Sequence, residues 1–164
     1  MFNDDGPRER DMSSTTYEEQ IATTDRPKLV VADDDAFMCM MLSSQLAHEF
    51  DCVATASDSD SAVEAVRTHR PEVAILDVVM PGGGAVATTR AIRECSPNTA
   101  IVILSGDELD SEVVALLNAG ASGYLRKGIE PADLARSLTV AIAAHASASA
   151  RAAATRTTPE AATR

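Results

Sequence analysis

Apolar and polar positions alternate in blocks along this chain. Five short apolar runs each stop at a polar residue, and each is followed by a longer stretch whose apolar positions recur three and four apart. The first run is Leu29-Val30-Val31-Ala32, opening a strand over 28–34 that ends in Asp33 and Asp34. The second covers Cys52 to Ala56, and the third is Val73-Ala74-Ile75-Leu76, bounded by Pro71 and Pro81 and closed by Asp77. The fourth runs from Thr99 to Leu104 and meets Ser105-Gly106, and the fifth from Ser122 to Arg126 and meets Lys127-Gly128. Runs this short, flanked by Pro and Gly, read as buried strands rather than helices.

The intervening stretches predict helices. Asp35 is placed to cap the first, which reaches to about Glu49 with an inner stripe of Met38, Met41, Leu42, Gln45 and Leu46. Ser57 or Asp58 caps a second, with Ala62, Val63 and Val66 turned inward. A third runs from about Ala85 to Cys95 after the turn Pro81-Gly82, which suits a type II geometry. Asp107 opens a fourth, with Leu109, Val113, Leu116 and Leu117 inward and a stop at Asn118-Ala119-Gly120. Pro131 lies in the first turn of a fifth, with Leu134, Leu138 and Ile142 spaced four apart. Strands alternating with helices at this spacing predict an α/β fold: a five-stranded parallel sheet, doubly wound, with helices on both faces. Residues 1–26 read as a disordered acidic arm, 27–146 as the folded domain, and 147–164, rich in Ala and Thr, as a tail that is disordered or extends the last helix.

Composition narrows what such a domain can do. Aromatics are only 3% and Trp is absent, so the core must come from Val, Leu, Ile, Ala and Met. The formal net charge is −11, with no basic patch to meet nucleic acid. Three cysteines without a CxxC fit free thiols in a reducing cytoplasm better than a disulfide frame or a zinc site. No apolar run approaches the roughly 20 residues of a membrane span, and the start Met1-Phe2-Asn3-Asp4-Asp5 is acidic where a signal peptide is basic.

In a parallel sheet the strand ends share one edge, the edge where ligands bind. Asp33, Asp34, Asp77, Ser105 and Lys127 therefore converge. Three carboxylates together need protons or a cation to offset their repulsion, and an all-oxygen set with room for water favours Mg²⁺. A carboxylate can act as nucleophile toward phosphorus, with a lysine to neutralise charge and a hydroxyl to bond a phosphoryl oxygen.

These residues carry a resemblance. Val31-Ala32-Asp33-Asp34-Asp35, Asp77-Val78-Val79-Met80-Pro81, Val102-Ile103-Leu104-Ser105-Gly106 and Gly120-Ala121-Ser122-Gly123-Tyr124-Leu125-Arg126-Lys127, in this order, resemble the receiver domains of bacterial two-component response regulators, over about residues 27–146. The resemblance implies a flavodoxin-like strand order of 2-1-3-4-5. It implies Asp77 as phosphoacceptor, Mg²⁺ held by Asp33, Asp34, Asp77 and the Val79 carbonyl, and Ser105 and Lys127 on the phosphoryl group. Tyr124 would turn inward when Ser105 moves. The phosphate would come from a sensor histidine kinase or a histidine phosphotransfer protein, and the output would be a downstream protein. Such a domain is not an enzyme beyond Mg-dependent self-phosphorylation and autodephosphorylation. The kinase would dock on the outer face of the first helix, where Cys39 and Met40 are the expected contacts. The chain departs from the family at Gly84, usually acidic or hydroxylic, at Ala85, usually Gly, and at Gly128, often Pro.

Two other readings stand beside it. The chain could be the receiver part of a transcription factor whose output domain lies outside it, since nothing after Ala146 can form a helix-turn-helix. Asp33-Asp34-Asp35 also contains the Asp-x-Asp of haloacid-dehalogenase-type phosphatases. That family wants Thr or Val where Phe37 stands, and it leaves Asp77 without a role.

Overall fold

The computed structural model describes residues 26–106 and 110–156. Ten elements alternate: β1 Lys28–Ala32, α1 Ala36–Leu46, β2 Asp51–Ala56, α2 Ser59–His69, β3 Val73–Asp77, α3 Gly84–Cys95, β4 Ala100–Ser105, α4 Asp110–Ala119, β5 Gly123–Arg126 and α5 Pro131–Arg156. The five strands are parallel, in the order β2-β1-β3-β4-β5. Strand alternation divides the core into two layers. Leu29, Val31, Ile75, Val102 and Leu104 face α1 and α5, packing on Leu42, Leu46, Leu134 and Leu138. Val30, Ala32, Leu76, Ile101 and Ile103 face the other way, onto Ala62, Val66, Ile92 and Leu116 of α2, α3 and α4. Every residue of β3 and β4 is buried, which is why those runs are continuously apolar rather than alternating.

Local chemistry sets most boundaries. Asp35 caps α1, accepting from the Phe37 and Met38 amides at 2.9 and 3.4 Å. Asp58 caps α2 in a reciprocal box with Ser61. Gly82 has φ +93°, the positive value that the third residue of a type II turn demands. Gly83 is the N-cap of α3 and makes no side-chain cap bond. Gly120, at φ +108°, ends α4 and allows the Ala121 amide to reach the Leu116 carbonyl at 3.0 Å.

Two expectations change. The buried stripe of α1 is Cys39, Leu42 and Leu46, with Met38 half-buried and Gln45 exposed. This helix is apolar nearly all round, so periodicity gave it no direction. In α4, Leu116 is inward but Leu117 is half exposed, and Leu109 and Asp107 lie outside the described residues. Of the two readings of the tail, the described part takes the second: helix α5 runs past residue 146 to Arg156. Its last turns, from Ala146, are almost wholly exposed Ala, Ser and Thr with two arginines, and alanine sustains a helix without burial.

Candidate functional site

The strand ends do converge. Asp33 directly follows β1 and Asp77 ends β3, and both are buried, at 2% and 5% exposure. Burying two carboxylates side by side is costly unless they are partnered. Lys127, just past β5, supplies the partner: its Nζ lies 2.7 Å from Asp33 Oδ2 and 3.1 Å from Asp77 Oδ2. The Lys127 amide donates to the Ser105 carbonyl at 2.7 Å, so the ends of β4 and β5 are locked in step. Asp33 Oδ1 accepts from the Asp35 amide at 2.9 Å, which fixes its rotamer.

Electrostatics follow from this packing. Burial pushes the Asp77 carboxyl above the usual carboxylate range. Lys127 and the Val79 amide pull it back, and the charge of Asp33 adds to the rise. Burial pulls the Lys127 ammonium down, but its bonds to Asp33 and Asp77 outweigh that and hold it above its ordinary value. The two directions agree: one lysine gains from two carboxylates, whereas Asp77 shares that lysine with Asp33. One cation against three acids leaves the cluster net negative. Asp34 is exposed and turns its carboxylate to the same place, so oxygens of Asp33, Asp34 and Asp77 lie within 4.8 Å of one another. This donor set is all oxygen, the chemistry of a hard divalent cation.

The remaining sequence-derived residues fall around this cluster. Ser105 is buried at the end of β4, on the strand next to β3. Tyr124 is half-buried on β5 opposite Ile103 and packs into the layer that holds Leu116. The Val79 side chain is 71% exposed beside Asp77. Met40 is 61% exposed at the rim of a cleft of about 320 Å³ lined also by Asp33, Thr55, Ser57 and Ser61.

Cys39 is a correction. It is only 6% exposed and its thiol points inward, 3.4 Å from the Asp33 carbonyl oxygen and 3.8 Å from that of Ala56. Burial raises its pKa, so it offers neither a surface nor a ready thiolate. A small side chain is what fits where α1 crosses the ends of β1 and β2. Phe37 takes its place on the outside at 63% exposure, a residue the inner-stripe reading passed over although helical spacing sets it beside Met40.

Comparison with known proteins places this geometry. A family model described as the response regulator receiver domain matches residues 29–139. The chain is 40% identical over 104 residues to the oxygen regulatory protein NreC of Staphylococcus epidermidis, covering 61% of this chain and 47% of that protein. It is 34% identical over 111 residues to the DNA-binding response regulator MtrA of Mycobacterium tuberculosis, covering 68% and 48%. The chain thus spans about half the length of these curated relatives. Among solved structures, the signal receiver domain of the response regulator NarL from Mycobacterium tuberculosis matches with a TM-score of 0.68 at 25% identity, covering 71% of this chain and 96% of that one. A CheY-like receiver domain protein from Methanospirillum hungatei matches in fold, with a TM-score of 0.67 at 18% identity over 74% and 98% of the two chains.

Proposed function

The chain belongs to the response regulator receiver family, and from that premise we propose that it accepts a phosphoryl group on Asp77 and changes conformation in response. The observation that carries the reading is the placement of Lys127 Nζ within 3.1 Å of buried carboxylates from two different strands, Asp33 and Asp77. An Asp77 carboxylate oxygen forms the new bond to phosphorus. The bond from phosphorus to the donor's nitrogen or oxygen breaks, and its electron pair leaves with the donor. Lys127 answers the charge on the phosphoryl oxygens, and Ser105 donates a hydrogen bond to one of them. Asp33, Asp34 and Asp77, with the Val79 carbonyl, would hold Mg²⁺, which when bound neutralises the acids and the incoming anion. The test is intact mass after incubation with acetyl phosphate. One phosphate should add in Mg²⁺ and none in excess EDTA; equal labelling in both would remove the metal from the scheme.

The donor in this reading is a phosphohistidine on a sensor kinase or phosphotransfer protein. Its docking surface includes Met40 and Phe37, exposed on the outer face of α1 next to the acid cluster. Exposed methionine suits adaptable contacts. Met40→Glu should lower transfer from the cognate phosphohistidine protein by about tenfold, as a charge buried at an interface does. Labelling by acetyl phosphate, which needs no docking, should not change. Equal transfer to both proteins would refute the surface, and a loss with both donors would mean damaged folding.

A further inference from the structure

Helix α4 runs from the Ser105 edge of the sheet back toward the start of β4, and its burial is lopsided. Among its described side chains the buried ones are Leu116 and Ala119, at 1% and 7% exposure, both in the second half. Ahead of them Glu112, Val114 and Ala115 are exposed and Val113 is half-buried. The element that α4 packs on chiefly is α3.

The second half ends in a closed turn. The Gly120 amide donates to the Leu117 carbonyl and the Ala121 amide to the Leu116 carbonyl, each at 3.0 Å. These are the two bonds of a Schellman motif, with Gly120 at φ +108° as its left-handed residue. Leu116 and Ala121 share one apolar layer, the contact that accompanies this motif. Ser122 carries the turn on to the sheet. Its amide donates to the Ile101 carbonyl at 2.7 Å, and its Oγ accepts from the Ile101 amide at 3.2 Å.

Arg93 of α3 fastens this turn from the side. Its Nε and Nη2 donate to the Gly120 carbonyl at 3.1 and 2.9 Å, and Nη2 also reaches Ser122 Oγ at 3.4 Å. Its Nη1 donates to the Pro97 and Thr99 carbonyls at 3.0 and 2.7 Å, so one side chain also holds the loop leading into β4. All five N–H groups of the guanidinium are used. A cation at this end of α4 also meets the negative pole of the helix. Gly120 is required here twice over: its φ is positive, and a Cβ on it would stand 2.8 Å from Arg93 Cγ.

We propose that Arg93 is the anchor about which α4 turns. It fixes the Gly120 end to α3 and to the start of β4, so a displacement arising at Ser105 swings the first half of the helix and leaves its last turn in place. The source of that displacement rests on Asp77 as phosphoacceptor, whereas the anchor is already present in the unphosphorylated chain.

The experiment is residue-resolved amide exchange on the full chain, with and without acetyl phosphate and Mg²⁺. In the untreated protein the Gly120, Ala121 and Ser122 amides should exchange at least about tenfold more slowly than those of Val114 and Ala115. Phosphorylation should change the rates at residues 114–117 at least about threefold more than at 120–122. Arg93→Met keeps the apolar stem and removes the donors. It should lose about tenfold of the protection at 120 and 121, with β1 and β3 unchanged and phosphate uptake by intact mass equal to wild type. Full protection at 120 and 121 in this variant, or a wild-type response as large at 120–122 as at 114–117, would overturn the anchor. If Arg93→Met loosens β1 and β3 as well, Arg93→Lys decides. With the charge kept and the fork lost, it must release 120 and 121 ahead of β1 and β3, and equal loss in all of them would overturn the anchor. A wild type that takes up no phosphate would sink the phosphoacceptor reading alone, and the untreated proteins then judge the anchor.

Discussion

In the proposed scheme Asp77 is the residue on which the chemistry turns, and its environment sets a testable pH dependence. Its carboxyl is held above the ordinary range, chiefly by burial. The folded chain therefore binds that proton more tightly than the unfolded chain, and stability from this group rises as pH falls through the folded value and is lost above it. A charged Asp77 is a net cost at neutral pH. Asp77→Asn should therefore raise the urea midpoint at neutral pH, with the gap over wild type closing as pH falls through the raised carboxyl range. A gap that stays constant or widens in acid would contradict this electrostatic assignment. The residues of this site were legible in the sequence because each ends an apolar run, so topology alone brings Asp33, Asp77, Ser105 and Lys127 to one edge. Cys39 was not legible: in Phe37-Met38-Cys39-Met40-Met41 every position is apolar, and only packing against β1 and β2 decides which side faces in. The bonds of Arg93 to the Gly120, Pro97 and Thr99 carbonyls were hidden too, since sequence does not align the segments that supply them.

At the scale of elements, the two halves of α5 should behave differently. Leu138 is fully buried between β-strand side chains and α1, whereas the residues from Ala146 to Thr155 are nearly all exposed. Leu138→Ala should cost about 2–5 kcal/mol, as truncation of a buried leucine does. Ala150→Gly should lower helicity but leave the global stability within about 0.5 kcal/mol, because Ala150 is exposed. Comparable losses from both would mean that the distal turns are packed. Here again pattern sets the limit of what sequence could say. The spacing of Leu134, Leu138 and Ile142 marks the docked half, but nothing apolar marks where the helix ends, so its reach to Arg156 rests on alanine propensity rather than burial.

Across the whole molecule, alternating strands and helices pointed to a doubly wound parallel sheet and the receiver resemblance implied its strand order, which the structure has, whereas in the proposed scheme the response to phosphate depends on elements moving together. Phosphorylation adds roughly −1.5 to −2 charges and new acceptor oxygens at the site. Within that scheme Ser105 and Lys127 answer from β4 and from beyond β5; Tyr124 lies on β5 within the layer that α4 covers. In the proposed scheme, phosphorylation should change amide exchange through Ser105 and residues 110–127. Ser105→Ala should still take up phosphate but lose at least half of that change, and a full response in this variant would break the proposed coupling. The claim on which all of this depends is that Asp77 carries the phosphate. Borohydride reduction of the acetyl phosphate-treated protein, followed by peptide mass analysis, converts an aspartyl phosphate to homoserine and so names the residue. The account predicts homoserine at position 77 and nowhere else, with none in Asp77→Asn; homoserine at position 33 or 34, or undiminished labelling of the Asn variant, would contradict it.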